Sequence, residues 1–418
     1  MQPIKRHKYP ELVVSLSVQL YTKLGCGFRG VVKTLALLKQ TLDWPFACVP
    51  NRNSIENWVK KSGYSLYQEP PGLMSDNQDE YAMIVDESMM IGSEKMLLTL
   101  GLKAQKTDQL ATTHQDVRVL NISVKPSWNS ETIGQDLARS IQKMGASPRY
   151  IISDNGSSLS KAIRDSGHVH IRDVGHTLGM LLERVYKNDP EFITYTKQVA
   201  QVRFREIMKP IAYLLPPKQR TLARFLNLSP LCKWSVRMLQ HFQTLTNQEQ
   251  QVFGFIPRSS SFIEELSEVL HCVNQLQGEL KQNGICQQSL ARCGQIIRSA
   301  LPCSNHRTRP LIHGIYQYLA AEYGKVGAAV TRWHVCSDVI ESLFGLYKAK
   351  KSPNSLYGVT SFVHILPLYT CLSSPTGAVS VDFKKSLEQV FLKDIHRWAQ
   401  DNLTENLAIK RNKKLKST

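Results

Sequence analysis

The sequence predicts a mixed α/β fold, interrupted by an all-α insertion and preceded by a small helical domain. Three observations carry this reading. From residue 81 the hydrophobic spacing changes from that of helices to that of strands. Two of the resulting apolar runs end in an aspartate, at Asp86 and Asp154. Between about 187 and 328 the strand signal vanishes and helical spacing returns. A chain of 418 residues can bury a large core and divide into several domains.

In the first segment, Leu12, Val13, Leu16, Leu20 and Leu24 form one apolar stripe, and Val31, Val32, Leu35, Leu37 and Leu38 form another. Gly25-Cys26-Gly27 breaks the pattern between them. After Pro50-Asn51 a third short helix runs from Ser54 and ends at Gly63. Three helices with a glycine turn and a basic last helix suit a helix-turn-helix DNA reader over 1–65, although any small helical bundle has the same outline. If the last helix enters the major groove, Arg52, Asn53, Asn57, Lys60 and Lys61 face DNA. Residues 66–80, with Pro70-Pro71, Gly72 and four acids, read as a linker.

The segment 81–186 reads β-β-β-α-β-α-β-α. Tyr81 to Asp86 has a buried-strand pattern, and Lys95 to Leu102 and Val117 to Val124 are further β-like runs. Glu131 to Met144 has helical spacing at Ile133, Leu137 and Ile141. Tyr150 to Asp154 is another strand, Val169 to Ile171 a short one, and Leu159 to Ile163 and Thr177 to Tyr186 are helical. The block 187–328 is the helical insertion. A second part of the α/β core follows over 329–375, with a helix from Ser337 to Lys350 that bears Glu341. The end, 376–418, is a helix and a basic tail, where Lys410, Arg411, Lys413, Lys414 and Lys416 either fray into solvent or grip phosphate.

Composition narrows the function. Fifty-two basic residues against 34 acidic give a net charge of +18. This predicts attraction to a polyanion, although ordinary basic enzymes share the excess. No apolar run approaches the roughly 18 residues needed to span a bilayer, and the basic start lacks the apolar stretch of a signal peptide. Nine scattered cysteines without a C-x-x-C pair read as reduced thiols. The expected location is the cytoplasm, in association with a bacterial nucleoid. No nucleophile elbow, Walker A loop or G-x-G-x-x-G is present, which removes support for serine hydrolase, NTPase and dinucleotide oxidoreductase readings.

A carboxylate that closes a buried strand sits at the sheet edge, where open α/β sheets place ligands. Two carboxylates brought together there repel unless cations neutralise them, and hard oxygen donors favour Mg²⁺ or Mn²⁺. Each aspartate also has a plainer use as a cap or turn residue, and Asp154-Asn155-Gly156 is a good turn sequence. Glu87 adjoins Asp86, but successive strand residues point to opposite faces, so Asp86 is the expected ligand.

Val85-Asp86-Glu87-Ser88, Ile152-Ser153-Asp154-Asn155-Gly156 and Val339 to Lys348 resemble the three acidic blocks of DDE transposases. Asp173-Val174-Gly175-His176 resembles the C/D-x-x-H motif of hAT-like and Mutator-like members. Glu341 and Lys348 match the E-x6-K of a bacterial insertion-sequence signature, whose Tyr and Arg positions hold His334 and Ser337 here. The resemblance implies a ribonuclease H-like core, with the first Asp on strand one, the second after strand four and the Glu on a late helix. The long stretch from Asp154 to Glu341 is similar to the subgroup with a helical insertion. It further implies a catalytic triad of Asp86, Asp154 and Glu341 holding two Mg²⁺ or Mn²⁺ ions. The expected chemistry is hydrolysis at the element ends followed by attack of the freed 3′-hydroxyl on target DNA.

The partners so implied are double-stranded DNA, as terminal inverted repeats and as target, and further copies of the chain in a dimer or larger assembly. No membrane partner is expected. Lys348, two helical turns beyond Glu341, is placed to contact a phosphate or to be a solvated helix end. Trp333 is a candidate to stack on an unpaired base, or is core. Asp173 and His176 are supporting residues, and zinc is disfavoured because no thiol lies near His168, His170 and His176 in sequence. Two alternatives remain: a transposase-derived protein that binds DNA without cutting, and a nuclease of the same fold without strand transfer.

Overall fold

The protein is described from a computed structural model. It covers residues 4–416 apart from 43, 45–47, 71–79, 89, 219–224, 302–304, 327–331, 353, 355 and 373–380. Along the chain come helices α1 (Glu11–Thr22), α2 (Phe28–Leu42) and α3 (Arg52–Gln68). Strands β1 (Tyr81–Glu87), β2 (Lys95–Lys103) and β3 (Val117–Lys125) follow, then α4 (Ser130–Met144), β4 (Ile151–Ser153), α5 (Ser157–Asp165) and β5 (His170–Arg172). A helical run succeeds them: α6 (Val174–Tyr186), α7 (Pro190–Glu206), α8 (Ser229–Gln240), α9 (Asn247–Phe253), α10 (Phe255–Arg258), α11 (Ser260–Asn283), α12 (Gln287–Ala300) and α13 (Thr308–Val326). The chain ends with α14 (Asp338–Lys350), α15 (Ile365–Leu372), α16 (Phe383–Gln389), α17 (Leu392–Asn402) and α18 (Leu407–Lys416).

The fold is therefore mixed α/β, and the five strands among the described residues form one sheet in the order β3-β2-β1-β4-β5. β1 pairs antiparallel with β2 and parallel with β4, and β2 pairs antiparallel with β3. The first six residues of β1 are all buried, so the strand reads as a continuous apolar run rather than an alternation. Tyr81, Met83 and Val85 join Ile133 and Leu137 of α4 and Leu159 and Ile163 of α5 in one core cluster. Local chemistry fixes the helices beneath the sheet. Asn129 and Thr132 form a capping box at the start of α4, and Gly145 ends it in the left-handed conformation (φ 70°).

Chain contacts divide the protein into two compact units. The first comprises 1–105, 112–171 and 337–418, and holds the sheet together with α1–α5 and α14–α18. The second comprises 106–111 and 172–336 and is helical. Within it, Arg307 binds Asp189 at 3.1 Å and Glu265 at 2.7 Å, which satisfies a buried guanidinium. No helix among the described residues is long and apolar enough to cross a membrane.

Several expectations need correction. Of the stripe Leu12, Val13, Leu16, Leu20 and Leu24, only Val13 and Leu20 are buried; Leu12 is exposed, Leu24 lies exposed beyond the end of α1, and the packed face also takes Val14, Ser17, Val18 and Tyr21. In α2 only Val31 and Leu35 are buried, and Leu37 faces solvent. Helical spacing predicts a face, but it does not choose between two adjacent apolar faces. The linker expected over 66–80 begins inside α3, which continues to Gln68; 71–79 lie outside the described residues.

Candidate active site

β1 and β4 lie side by side in parallel, with Met83 opposite Ile151 and Ile84 opposite Ile152. Continuing that register by two residues sets Asp86 level with Asp154, across neighbouring strands about 4.8 Å apart. Two acids distant in sequence thus meet at the same end of the sheet. Both line one cleft of about 620 Å³, with Glu87, Ser88, Lys95, Ser157 and Ser158. The buried strands behind it hold the backbone rigid, which is what a site for charged ligands requires.

Each aspartate accepts a backbone amide through its Oδ1. Asp86 Oδ1 accepts the Glu87 N–H at 2.7 Å, and Asp154 Oδ1 accepts the Gly156 N–H at 2.8 Å. The turn reading of Asp154-Asn155-Gly156 is thus partly realised, since the carboxylate does close a turn. It does not cap α5, whose N-cap is Gly156 without a side-chain bond. Gly156 is fitted to this arrangement: a Cβ there would lie 2.8 Å from Asp154 Oδ1. The open start of α5 brings Ser157 and Ser158 to the cleft, and a helix N-terminus favours anions such as phosphate.

The choice between Asp86 and Glu87 is less exclusive than strand alternation implies. Glu87 is the last residue of β1, and the cleft lies across the strand ends, so both side chains line it. Glu87 is engaged by Lys95, 3.0 Å away.

Glu341 lies in the first turn of α14, half-buried beside a buried face of Val339, Ile340, Leu343, Phe344 and Tyr347. α14 packs against β1, the strand of Asp86. The described residues that line the cleft include Asp86 and Asp154 but not Glu341. Lys348 is half-buried two turns further along the same helix.

No protein-family profile and no curated protein matches this chain.

The residues expected to read DNA are distributed unevenly. α3 packs against α1, α2, α15, α16 and α17 within the first unit and buries Ile55, Trp58, Val59, Tyr64 and Leu66. Arg52 and Asn53 are exposed at its start, while Asn57, Lys60 and Lys61 are half-buried. Arg52 and Lys60 both pair with Glu56, at 3.1 and 2.7 Å. Lys61 donates to the Leu387 carbonyl at 3.5 Å, and burial lowers its pKa. The outward cationic surface of α3 is therefore smaller than the sequence implies. Trp333, in the second unit, is 4% exposed and pairs through its backbone with Ile285. It is core in this conformation and presents no face to a base. Asp173, fully buried, caps α6 by accepting the His176 N–H at 2.7 Å, and its Oδ1 lies 3.0 Å from His176 Nδ1. The D-x-x-H spacing thus works locally as an N-cap that also orients an imidazole.

One functional-looking carboxylate escaped the sequence. Asp136 on α4 is fully buried, accepts from Asn121 at 3.0 Å and Arg139 at 2.7 Å, and is also bonded by Ser123. Burial raises its pKa against these bonds. It ties α4 to β3, and no linear motif marks it.

Proposed function

We propose that the chain is a DNA transposase of the DDE type, with a ribonuclease H-like core, acting by metal-dependent phosphodiester hydrolysis and strand transfer. The observation that carries the reading is the meeting of Asp86 and Asp154 at the ends of adjacent parallel strands, in one cleft. The placements implied by the resemblance add support, with Asp86 on the first strand, Asp154 directly after the fourth and Glu341 on a late helix. The charge of +18 suits a polyanionic substrate.

The donor set fits hard divalent cations. Among the described residues that line it, the cleft offers carboxylates and hydroxyls and neither a thiol nor an imidazole. Asp86 and Asp154 would hold the ions, with Glu341 as third ligand. Two such ions, if bound there, would supply activation of the attacking oxygen and stabilisation of the leaving oxygen of a phosphodiester. The protein's own part is positional. The Glu87 and Gly156 amides fix the two carboxylates, Lys95 balances Glu87, and the start of α5 orients the substrate phosphate.

The test uses the full chain with Mg²⁺ or Mn²⁺ and duplex DNA carrying the inverted repeats that flank its coding sequence. Cleavage abolished by Asp86→Asn and by Asp154→Asn, and joining of pre-cut 3′-hydroxyl ends, are the expected results. Cleavage that survives Asp86→Asn would sink the assignment. Cleavage without joining would identify a nuclease. The position of Glu341 outside the cleft lining favours a second reading, a protein that keeps the fold and binds DNA without cutting. Under that reading Glu341→Gln changes nothing measurable.

A further inference from the structure

The second unit carries an outer surface that the triad does not explain. α7 buries Phe192, Tyr195 and Val199 and turns another side to solvent, where Ile193, Lys197 and Phe204 share one face. Phe204 is 86% exposed, and just past the helix Met208 is 94% and Tyr213 75% exposed. Isolated exposed apolar side chains are ordinary, but here three large ones are exposed within ten residues, on the end of α7 and on the turn that packs against it, and clustered exposure of this kind marks binding surfaces.

The patch is built on fixed backbone. The turn Pro210–Leu214 packs against α7, the Arg203 guanidinium donates to the Pro216 carbonyl, and Trp234 Nε1 donates to the Leu214 carbonyl at 2.9 Å. Tyr213 is aimed by its hydroxyl, which donates to Glu249 at 2.8 Å and leaves the ring open to solvent.

Charge selects the occupant. Over residues 193–218 the cations are Lys197, Arg203, Arg205, Lys209 and Lys218; the acids beside them are Glu206, which is buried and held by Lys209 at 3.0 Å, and Glu249, which accepts the Tyr213 hydroxyl, so cations outnumber acids. A second copy of this face would set like charges against each other. A nucleic-acid strand meets both halves of the pattern, with phosphates for the cations and base faces for the rings. In a duplex the base faces are stacked inside, so the strand must be unpaired.

We propose that this surface binds unpaired nucleotides of a DNA strand, with Phe204 and Tyr213 stacking on bases and Arg205 and Lys197 taking phosphates. The choice of DNA rests on the transposase reading.

The experiment measures anisotropy of a labelled single-stranded oligothymidine with the full chain, beside a duplex of equal length, across a salt series. Phe204→Ala and Tyr213→Ala are expected to weaken single-strand binding roughly 5- to 150-fold each and to leave duplex binding unchanged. Phe204→Trp should restore it, and Arg205→Gln should flatten the salt slope by about 0.7. Because Phe204 is exposed, an unchanged melting temperature will show that its variants fold. The proposal is overturned if wild type fails to bind the oligomer, if it prefers oligouridine, or if Phe204→Ala binds as wild type does. Phe204→Ala and Met208→Ala converting a dimer to a monomer, with single-strand affinity intact, would also overturn it in favour of a second copy. Asp86→Asn separates the two readings. Wild type that cuts nothing but loses single-strand binding on Phe204→Ala removes the transposase reading and leaves this one. Cleavage lost in Asp86→Asn with no effect of Phe204→Ala does the reverse.

Discussion

Asp86 and Asp154 concentrate negative charge at one end of the sheet, and under the proposed function a divalent cation would relieve it. Asp86→Asn should therefore lose more activity than the roughly 100-fold that outer-shell partners of metal ligands can cost. The same change should remove stabilisation by Mg²⁺, worth about 2.7 kcal/mol at 100 times the Kd. Melting with and without Mg²⁺ reads this without any turnover, and an Mg²⁺ shift that persists in Asp86→Asn rules the ligand assignment out. Gly156→Ala tests the turn, because its Cβ would crowd Asp154 Oδ1. Reduced cleavage in a protein with a wild-type melting temperature is expected; full activity would show that this turn does not position Asp154. His364 gives the residue scale a pH signature. It is buried among Tyr64, Tyr67 and Trp398, and burial, with Lys143 nearby, depresses its pKa to about 3 against a backbone contact from Ser361. Below about pH 6.5 the unfolded imidazole takes up a proton that the folded one refuses until about pH 3, so stability falls as pH falls through that window. At pH 5 the loss from this residue is about 2 kcal/mol. Urea unfolding of His364→Phe should lose that share of the pH dependence, and an unaltered pH slope would count against it.

At the scale of elements, α3 is the case where tertiary packing overrides a local reading. Its spacing and charge resemble a recognition helix, yet it lies against five other helices of its unit. The close approach depends on Gly63, where a Cβ would fall 2.0 Å from the His364 carbonyl oxygen. Gly63→Ala is expected to destabilise by about 3 kcal/mol or more, because backbone, not a flexible side chain, stands in the way. A chemical denaturation midpoint close to wild type would show that α3 tolerates displacement. Glu94 shows how distant segments are tied to the sheet: its carboxylate accepts from the Val359 N–H at 2.9 Å and the Thr404 N–H at 3.2 Å. No periodicity announces a contact of that kind.

Over the whole molecule, the excess of positive charge sets the expected dependence on salt. If binding neutralises six to ten phosphates, affinity for duplex DNA should drop about 10³- to 10⁵-fold between 50 and 200 mM salt. A nearly flat salt response would argue against a polyanionic partner as the reason for the charge. The acids lie in the first unit, and the exposed aromatic and cationic surface around Phe204 lies in the second.

Hydrophobic patterning alone located the five strands of the sheet, the helices between them and the helical block, because short continuous apolar runs and 3.6-residue periodicity are local properties of the chain. It also placed an aspartate at the ends of β1 and β4. Only the tertiary structure decided that β4 pairs beside β1, and so that Asp86 and Asp154 share a cleft. Strand pairing joins residues far apart in sequence, and a one-dimensional pattern records which face is buried without naming the neighbour that buries it. The same gap explains why α3 and Trp333 read as DNA contacts but are packed within their units, and why Asp136 passed unnoticed. For Glu341 the sequence supplied a motif and a helix, and the fold supplied contact with β1 but no place in the cleft lining.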